Sequence, residues 1–188
     1  MVGHRCRDHK IDEQTETLII GTFNPDTDAN VADFFYGRPQ NQLWRILPEI
    51  FNENSLKGRP REEKIRFIRA RQIDFIDLIW EVDHVPPDYT DKYLDTHCLI
   101  HWREDIFDQI DRLPHLKRVG VSRKGFKDVR SIGNRVDEIA AHLNGKPIVF
   151  RRLHTPARKL NDARKEWAQF FKTDPDDSRI RFNLSDQS

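Results

Sequence analysis

The stretch TLIIGTFNPD, residues 17–26, carries the strongest fold signal in this chain. It begins as a short apolar run and stops at Asn24-Pro25-Asp26, which are residues that favour turns. An apolar run without polar alternation is typical of a strand that is buried on both faces of a parallel sheet. The stretch therefore predicts a central strand over residues 17–23 that leads into a loop.

Further strands and helices follow this first strand. Apolar runs predict strands over residues 73–82, 116–122 and 147–153. Helical spacing of apolar side chains predicts helices over residues 41–51, 61–71, 102–113, 126–143 and 158–171. A passage rich in Pro and Asp, residues 84–95, predicts a surface loop. Strands that alternate with helices predict an α/β fold, with a single three-layer α/β/α domain around a central, mostly parallel four-stranded sheet.

The length of 188 residues fits one domain. We expect a loose polar arm over residues 1–16, the folded domain over residues 17–172 and a polar tail over residues 173–188. The net charge of +1 comes from 32 basic and 31 acidic residues, so bulk charge neither demands nor forbids a nucleic-acid partner.

The apolar runs, the first ten residues and the cysteine content predict an intracellular protein. No apolar run reaches the roughly 20 residues of a membrane helix, and the first ten residues lack an apolar leader. Two cysteines cannot form a disulfide framework or ligate a four-cysteine iron–sulfur cluster. We expect a monomer that is cytoplasmic or associated with the nucleoid, with no membrane partner.

The segments that follow the predicted strands are all polar. They comprise residues 22–25, 81–84, 122–125 and 154–158. In parallel α/β sheets, ligands bind beyond the carboxyl ends of the strands. The sequence therefore predicts a site where these four segments meet.

Two of these segments carry a family resemblance. GTFNP (residues 21–25) followed by FYGRPQNQLW (residues 35–44) resembles the N-terminal signature of the uracil-DNA glycosylase superfamily, closest to its mismatch-specific and hypoxanthine-type branches. IDFIDLI (residues 73–79) and LHTPAR (residues 153–158) are similar to later motifs of those branches, in the same order. The resemblance spans residues 17–171. It implies a DNA glycosylase of base excision repair that flips uracil, hypoxanthine or xanthine out of DNA and hydrolyses its N-glycosidic bond without a metal or other cofactor.

The resemblance and the amide chemistry together suggest catalytic residues. Asn24 follows the first strand and Asn41 opens a helix, and either amide could position the attacking water, because it offers both a donor and an acceptor. Each could instead serve as a turn or cap residue. His154 could donate a hydrogen bond to the departing base.

Other residues would bind the base and the DNA. Phe23 could stack on an extruded base, Tyr36 could wall the pocket, and Thr22 lies beside them. Residues predicted to contact DNA cluster at the strand ends and comprise Arg38, Arg123, Lys124, Thr155, Arg158 and Lys159.

Two alternatives remain open at the level of sequence. The first motif has no acid to activate water before Asp26, so the fold could serve a catalytically inactive or altered module that binds nucleotides or nucleic acid. A metal could be bound by His97, Cys98 and His101, with His84 and Asp95 nearby, but further ligands at recognisable spacing are not evident. We therefore expect no metal.

Overall fold

The computed structural model describes residues 1–157 and 160–173. In chain order its elements are β1 (Val2–Gly3), β2 (Thr17–Gly21), α1 (Leu43–Ile50), α2 (Arg61–Ala70), β3 (Ile73–Asp77), β4 (Ile79–Val82), α3 (Asp91–His97), β5 (Ile100–Trp102), α4 (Ile106–Asp111), β6 (Arg118–Val121), α5 (Arg130–Leu143), β7 (Val149–Arg152) and α6 (Leu160–Lys172).

The predicted four-stranded sheet is confirmed. Its strand order is β3-β2-β6-β7, and every neighbouring pair is parallel. In β2, Thr17 lies opposite Ile73 of β3 and Arg118 of β6. Because β2 has a partner on each side and helices above and below, its five residues are all buried. This burial explains the uninterrupted apolar run at the start of the stretch.

Alternate side chains of β2 enter two separate cores. Leu18 and Ile20 pack in a core that includes residues of α4 and α5. Ile19 points the other way and packs in a core that includes residues of α1, α2 and α6. The period of two along a strand thus divides the helices between the two faces of the sheet. The result is the predicted three-layer α/β/α arrangement.

The single strand expected over residues 73–82 is two strands in the structure. After β3 ends, the Leu78 amide donates to the Gly21 carbonyl (3.0 Å) and the Ile79 amide donates to the Thr22 carbonyl (3.1 Å). The chain then enters β4, which belongs to a second, antiparallel sheet of order β1-β4-β5. Both strands contain buried apolar residues, so periodicity alone does not mark the break between them.

Two other expected boundaries are wrong. Part of the loop expected over residues 84–95 is helix α3, which begins after Thr90, whose hydroxyl accepts from the Tyr93 amide (3.2 Å). That capping bond starts a short polar helix without an apolar stripe. The helix expected over residues 102–113 is shorter, because residue Trp102 ends strand β5 and α4 begins only at Ile106.

The expectation of a loose N-terminal arm is also wrong. Strand β1 pairs with β4, and His4 and Cys6 are buried. His4 Nε2 lies 2.7 Å from Asp77 Oδ2, and His9 Nε2 lies 2.6 Å from Asp74 Oδ1. Two histidines of the arm are thus paired with buried carboxylates of β3. In residues 1–157 and 160–173, no helix has the length and apolar character needed to cross a membrane.

Candidate functional site at the strand ends

The Asp77 carboxylate and the hydroxyl groups of Tyr36 and Ser122 converge at the carboxyl ends of β2, β3 and β6. A Cβ atom added to Gly21 would lie 2.2 Å from Asp77 Oδ1 and 2.9 Å from the Tyr36 hydroxyl oxygen, so glycine is required there for close approach. The Tyr36 hydroxyl donates to Ser122 Oγ (2.9 Å). Tyr36 therefore connects the loop after β2 to the end of β6.

The protonation of this cluster follows from burial and hydrogen bonding. Burial, and then the charge of Asp77, raise the pKa of Tyr36 well above its ordinary value, so its hydroxyl is protonated at neutral pH. The Cys6 amide donates to His4 Nδ1 (3.0 Å), which leaves Nε2 to carry the proton and donate to Asp77 Oδ2 (2.7 Å). His4 lies in the segment expected to be loose, and the sequence analysis missed it.

A second carboxylate, Asp91, lies at the start of α3. It accepts a hydrogen bond from Arg123 Nη1 (3.0 Å) and bonds the Thr22 side chain. Burial raises the pKa of Asp91, and the Arg123 guanidinium opposes that rise. Arg123 Nη2 also donates to Asp128 Oδ1 (2.7 Å). The guanidinium expected to contact DNA is thus held by two carboxylates, and Thr22 is bonded to one of them.

A third carboxylate, Glu166 of α6, holds His154 after β7. Glu166 Oε2 accepts from the His154 backbone amide (2.5 Å) and from its ring Nδ1 (2.7 Å). Glu166 Oε1 accepts from Lys124 Nζ (2.8 Å), and the Trp167 indole donates to the His154 carbonyl (2.9 Å). Within residues 1–157 and 160–173, His154 Nε2 has no hydrogen-bond partner. The imidazole is therefore fixed in orientation with one nitrogen available.

Glu166 is ionised in this arrangement. Burial alone would raise its pKa, but hydrogen bonds from Lys124 and His154 outweigh burial and lower it. The sequence analysis did not single out Glu166. The signal available in the sequence was an acid beside Trp167 in a helix that follows the His154 segment.

The two asparagines occupy different surroundings. Asn24 is buried, its Nδ2 lies 3.7 Å from Cys6 Sγ, and its Oδ1 accepts from Asn30 Nδ2 (2.7 Å). Asn41 is partly exposed, and its Oδ1 accepts from the Leu43 amide (2.8 Å) at the start of α1.

The start of α1 lies against the loop that carries His154. The Gln42 amide donates to the Pro156 carbonyl (2.7 Å). This bond joins the segment of Asn41 to the segment of His154, although more than 100 residues separate them in the sequence. Thr155 is exposed in the same loop. The other two residues expected to contact DNA there, Arg158 and Lys159, lie outside the described residues.

Phe23 and Arg38 both contact Tyr89. Phe23 is 7% exposed, and its carbonyl accepts from the Tyr89 hydroxyl (2.7 Å). The Arg38 guanidinium carbon lies 4.0 Å from the centre of the Tyr89 ring. Arg38 and Tyr89 border a cavity of about 160 Å³, which is below the roughly 300 Å³ usual for small-molecule sites. The structure thus packs Phe23 in the core, edge-on to the Tyr89 ring on which Arg38 stacks.

Comparison with known proteins identifies the fold. No family model matches the chain. A solution NMR structure of a candidate uracil DNA glycosylase from Methanosarcina acetivorans matches with a TM-score of 0.60 and 20% identity, covering 86% of this chain and 92% of that one. The chain is therefore an α/β protein with the uracil-DNA glycosylase fold.

A sequence relative agrees with this assignment. A protein named Hypoxanthine DNA glycosylase, from the same archaeon, is 31% identical over 68 residues, which are 36% of this chain and 42% of that protein. The chain thus matches less than half the length of this curated relative. Together the two similarities confirm the resemblance to the uracil-DNA glycosylase superfamily that the sequence motifs predict.

Proposed function

We propose that this protein is a DNA glycosylase that hydrolyses the N-glycosidic bond of a deaminated base, such as uracil, hypoxanthine or xanthine, after the base has left the duplex. The fold and the two glycosylase relatives support the class of reaction. The observation that carries the proposal is the His154–Glu166 pair at the end of β7, joined by the Gln42–Pro156 hydrogen bond to the start of α1.

His154 would act on the leaving base. Glu166 lies against Nδ1, so a ring that carries a proton on both nitrogens would present its other N–H, on Nε2, away from Glu166. A base that leaves as an anion is stabilised by a donor placed where its negative charge develops. In this proposal His154 donates to a carbonyl oxygen of the base, and Glu166 balances the positive charge of the imidazole.

Asn41 would position the water. Its Oδ1 is bonded to the Leu43 amide, and its neighbour Gln42 is bonded to the loop after His154. The Asn24 side chain is instead bonded to Asn30 and contacts Cys6 on the side of the N-terminal arm. We therefore assign the attacking water to Asn41 and an architectural role to Asn24.

The DNA backbone would be bound at the rim of the strand ends. Arg38 stacks on Tyr89 and is partly exposed, and Thr155 is exposed beside His154. Lys124 is about half exposed while bonded to Glu166. These residues, together with Arg158 and Lys159, which follow them in the sequence, would contact phosphates and fix the register of the DNA. The reaction needs water and no cofactor.

The direct test is base release from oligonucleotides that carry uracil, hypoxanthine, xanthine or a G·T mismatch. Enzyme is in excess, and alkaline cleavage reveals the abasic sites. We expect Asn41→Ala and His154→Ala to slow release at least about tenfold, which is about 1.4 kcal/mol of activation free energy. Asn161→Ala, an exposed asparagine on α6, is the matched control. No release by wild-type protein from any of these substrates would refute the proposal.

A second function is favoured by one observation. Both candidate asparagines already use their side-chain oxygens within the fold, Asn24 with Asn30 and Asn41 with the Leu43 amide. A module that binds nucleic acid or nucleotides without hydrolysis would retain these bonds unchanged. It would bind the same oligonucleotides in an anisotropy titration and release no base, whereas a glycosylase does both.

A further inference from the structure

Three side chains with metal-binding atoms meet beside the second, antiparallel sheet, to which β4 belongs. Asp83 and His84 follow β4, and Cys98 follows α3. One ligand atom from each lies within 4.8 Å of the others. Asp83 Oδ2 and His84 Nδ1 are 3.0 Å apart. Two ligands that each lie about 2.0 Å from a tetrahedral ion are about 3.3 Å apart, so this pair is already near the spacing that one ion requires.

Neighbouring groups orient the ligands. The Leu99 amide donates to Asp83 Oδ1 (2.9 Å). The Tyr93 hydroxyl lies 3.0 Å from His84 Nε2, so the opposite nitrogen, Nδ1, faces Asp83. Metal-binding histidines usually have such a partner on their second nitrogen, which fixes the ring and its tautomer. The arrangement therefore has the outer hydrogen bonds of a metal site as well as the ligands.

We propose that Asp83, His84 and Cys98 bind a zinc ion, with the fourth position open to water. A set of one sulfur, one nitrogen and one oxygen suits borderline-soft zinc and not the hard cations magnesium and calcium, which prefer oxygen alone. Asp83 and His84 are exposed, so an ion can enter from solvent. The site lies outside the strand-end cluster and does not depend on the proposed glycosylase activity.

The structure selects among the metal ligands considered from sequence. His84 and Cys98 join the cluster, together with Asp83, and His97 and Asp95 make other contacts. The His97 ring stacks on Tyr93 at 4.7 Å, and Asp95 Oδ1 accepts from the Ile132 amide (3.1 Å). The proposed ligands come from the segments on either side of α3, whereas His101 lies in strand β5.

A zinc ion would link the two ends of the segment formed by residues 84–98. This segment supplies Asp91, which bonds Arg123, and Tyr89, which bonds the Phe23 carbonyl. In the structure the two ends are joined by polar contacts, one of which is a hydrogen bond from Cys98 Sγ to the His84 carbonyl (3.2 Å). A metal bridge across the same gap would brace the segment beside the strand ends.

The test uses the full chain, stripped of metal and kept reduced, and titrated with Co²⁺ and then Zn²⁺. We expect one equivalent of Co²⁺ to give a sulfur-to-cobalt charge-transfer band that Zn²⁺ displaces. Cys98→Ser should abolish the band, because only the thiolate gives it. His84→Ala should weaken Zn²⁺ binding more than about tenfold. The matched control is His101→Ala, which removes an exposed imidazole from the adjacent strand β5. It should change neither the charge-transfer band nor the affinity for Zn²⁺.

Any one of three results would refute the proposed zinc site. One is the absence of stoichiometric binding by the wild-type protein. Another is a charge-transfer band that survives Cys98→Ser, which would place the sulfur ligand at Cys6. The last is equal affinity in His84→Ala and His101→Ala. Zn²⁺ should also raise the midpoint of thermal unfolding of the wild-type protein and leave Cys98→Ser unchanged, because binding to the native state stabilises it.

Discussion

Glu166→Gln is the substitution that tests the proposed mechanism most sharply. In the structure the carboxylate accepts three hydrogen bonds, two from His154 and one from Lys124. Glutamine has nearly the same shape, but it carries no charge and one of its two terminal atoms is a donor. Its NH₂ group must therefore face either the imidazole or the ammonium group. We expect the His154 ring to lose its fixed orientation.

The size of the effect follows from the contacts. Hydrogen bonds to a charged group contribute about 1.5–3 kcal/mol. The Glu166 side chain is 25% exposed, so solvent screening reduces this figure, and about 1–2 kcal/mol remains. If the lost orientation acts on the leaving base, release slows about 5- to 30-fold. Asp162→Asn, an exposed acid on the same helix, should leave the rate within about twofold.

The assay is single-turnover base release over a range of pH, with the protons on the two His154 ring nitrogens followed by NMR. Because its hydrogen bonds lower the pKa of Glu166, they stabilise the fold fully above the pKa of an unfolded glutamate, about 4.3. That stabilisation is lost as the pH falls through the lower pKa of the folded state. The Glu166→Gln variant should lack this loss of folding stability at acid pH. Wild-type rates and unchanged NMR signals of the His154 ring in Glu166→Gln, alongside an impaired His154→Ala, would refute the reasoning.

Two further predictions concern stability and thiol chemistry. Gly21→Ala places a Cβ 2.2 Å from Asp77 Oδ1 and should lower the free energy of unfolding by about 2–3 kcal/mol in urea. Gly125→Ala, where a Cβ meets nothing within 4 Å, should change it by less than about 0.5 kcal/mol, and equal losses would contradict the close-packing argument. Burial, and then Asp77, raise the pKa of Cys6 to about 11, so about one in a thousand of its thiols is ionised at pH 8. In the native, metal-free protein we expect only Cys98 to react rapidly with a water-soluble disulfide reagent, and both thiols to react after unfolding. Rapid reaction of both thiols in the native protein would contradict the burial of Cys6.

The sheet was predictable because its signal is local. Strand β2 is buried on both faces, so its residues must be apolar, and the turn residues after it mark where it ends. The carboxyl ends of parallel strands meet at one edge of the sheet, which is why His154, Thr22 and Arg123 could be assigned to a common region. Helix α3 was not predictable from periodicity, because its start depends on one capping hydroxyl and its residues are mostly polar.

The partners of these residues were not predictable, for a different reason. His4 and Asp77 are 73 positions apart, and Glu166 follows His154 by 12. A carboxylate in an apolar strand signals that a partner must exist, because an unpaired buried charge is expensive, but it does not say which residue supplies it. The same uncertainty made the arm look loose, since its histidines resemble surface residues until the carboxylates of β3 are placed beside them.

The pairing of the three carboxylates has a consequence for the proposed chemistry. Asp77, Asp91 and Glu166 all lie at the strand ends, where a glycosylase must bind a polyanion and then stabilise positive charge on the sugar. Unpaired carboxylates would favour the sugar cation but repel the phosphates and the departing base. Asp91 and Glu166 have basic partners, which are Arg123 for Asp91 and His154 with Lys124 for Glu166, whereas Asp77 accepts a hydrogen bond from His4. In the proposed function, the Arg123 and Lys124 pairs would limit repulsion of DNA while the carboxylates remain near the sugar. Replacing Arg123 or Lys124 should therefore weaken DNA binding more than replacing an exposed lysine elsewhere.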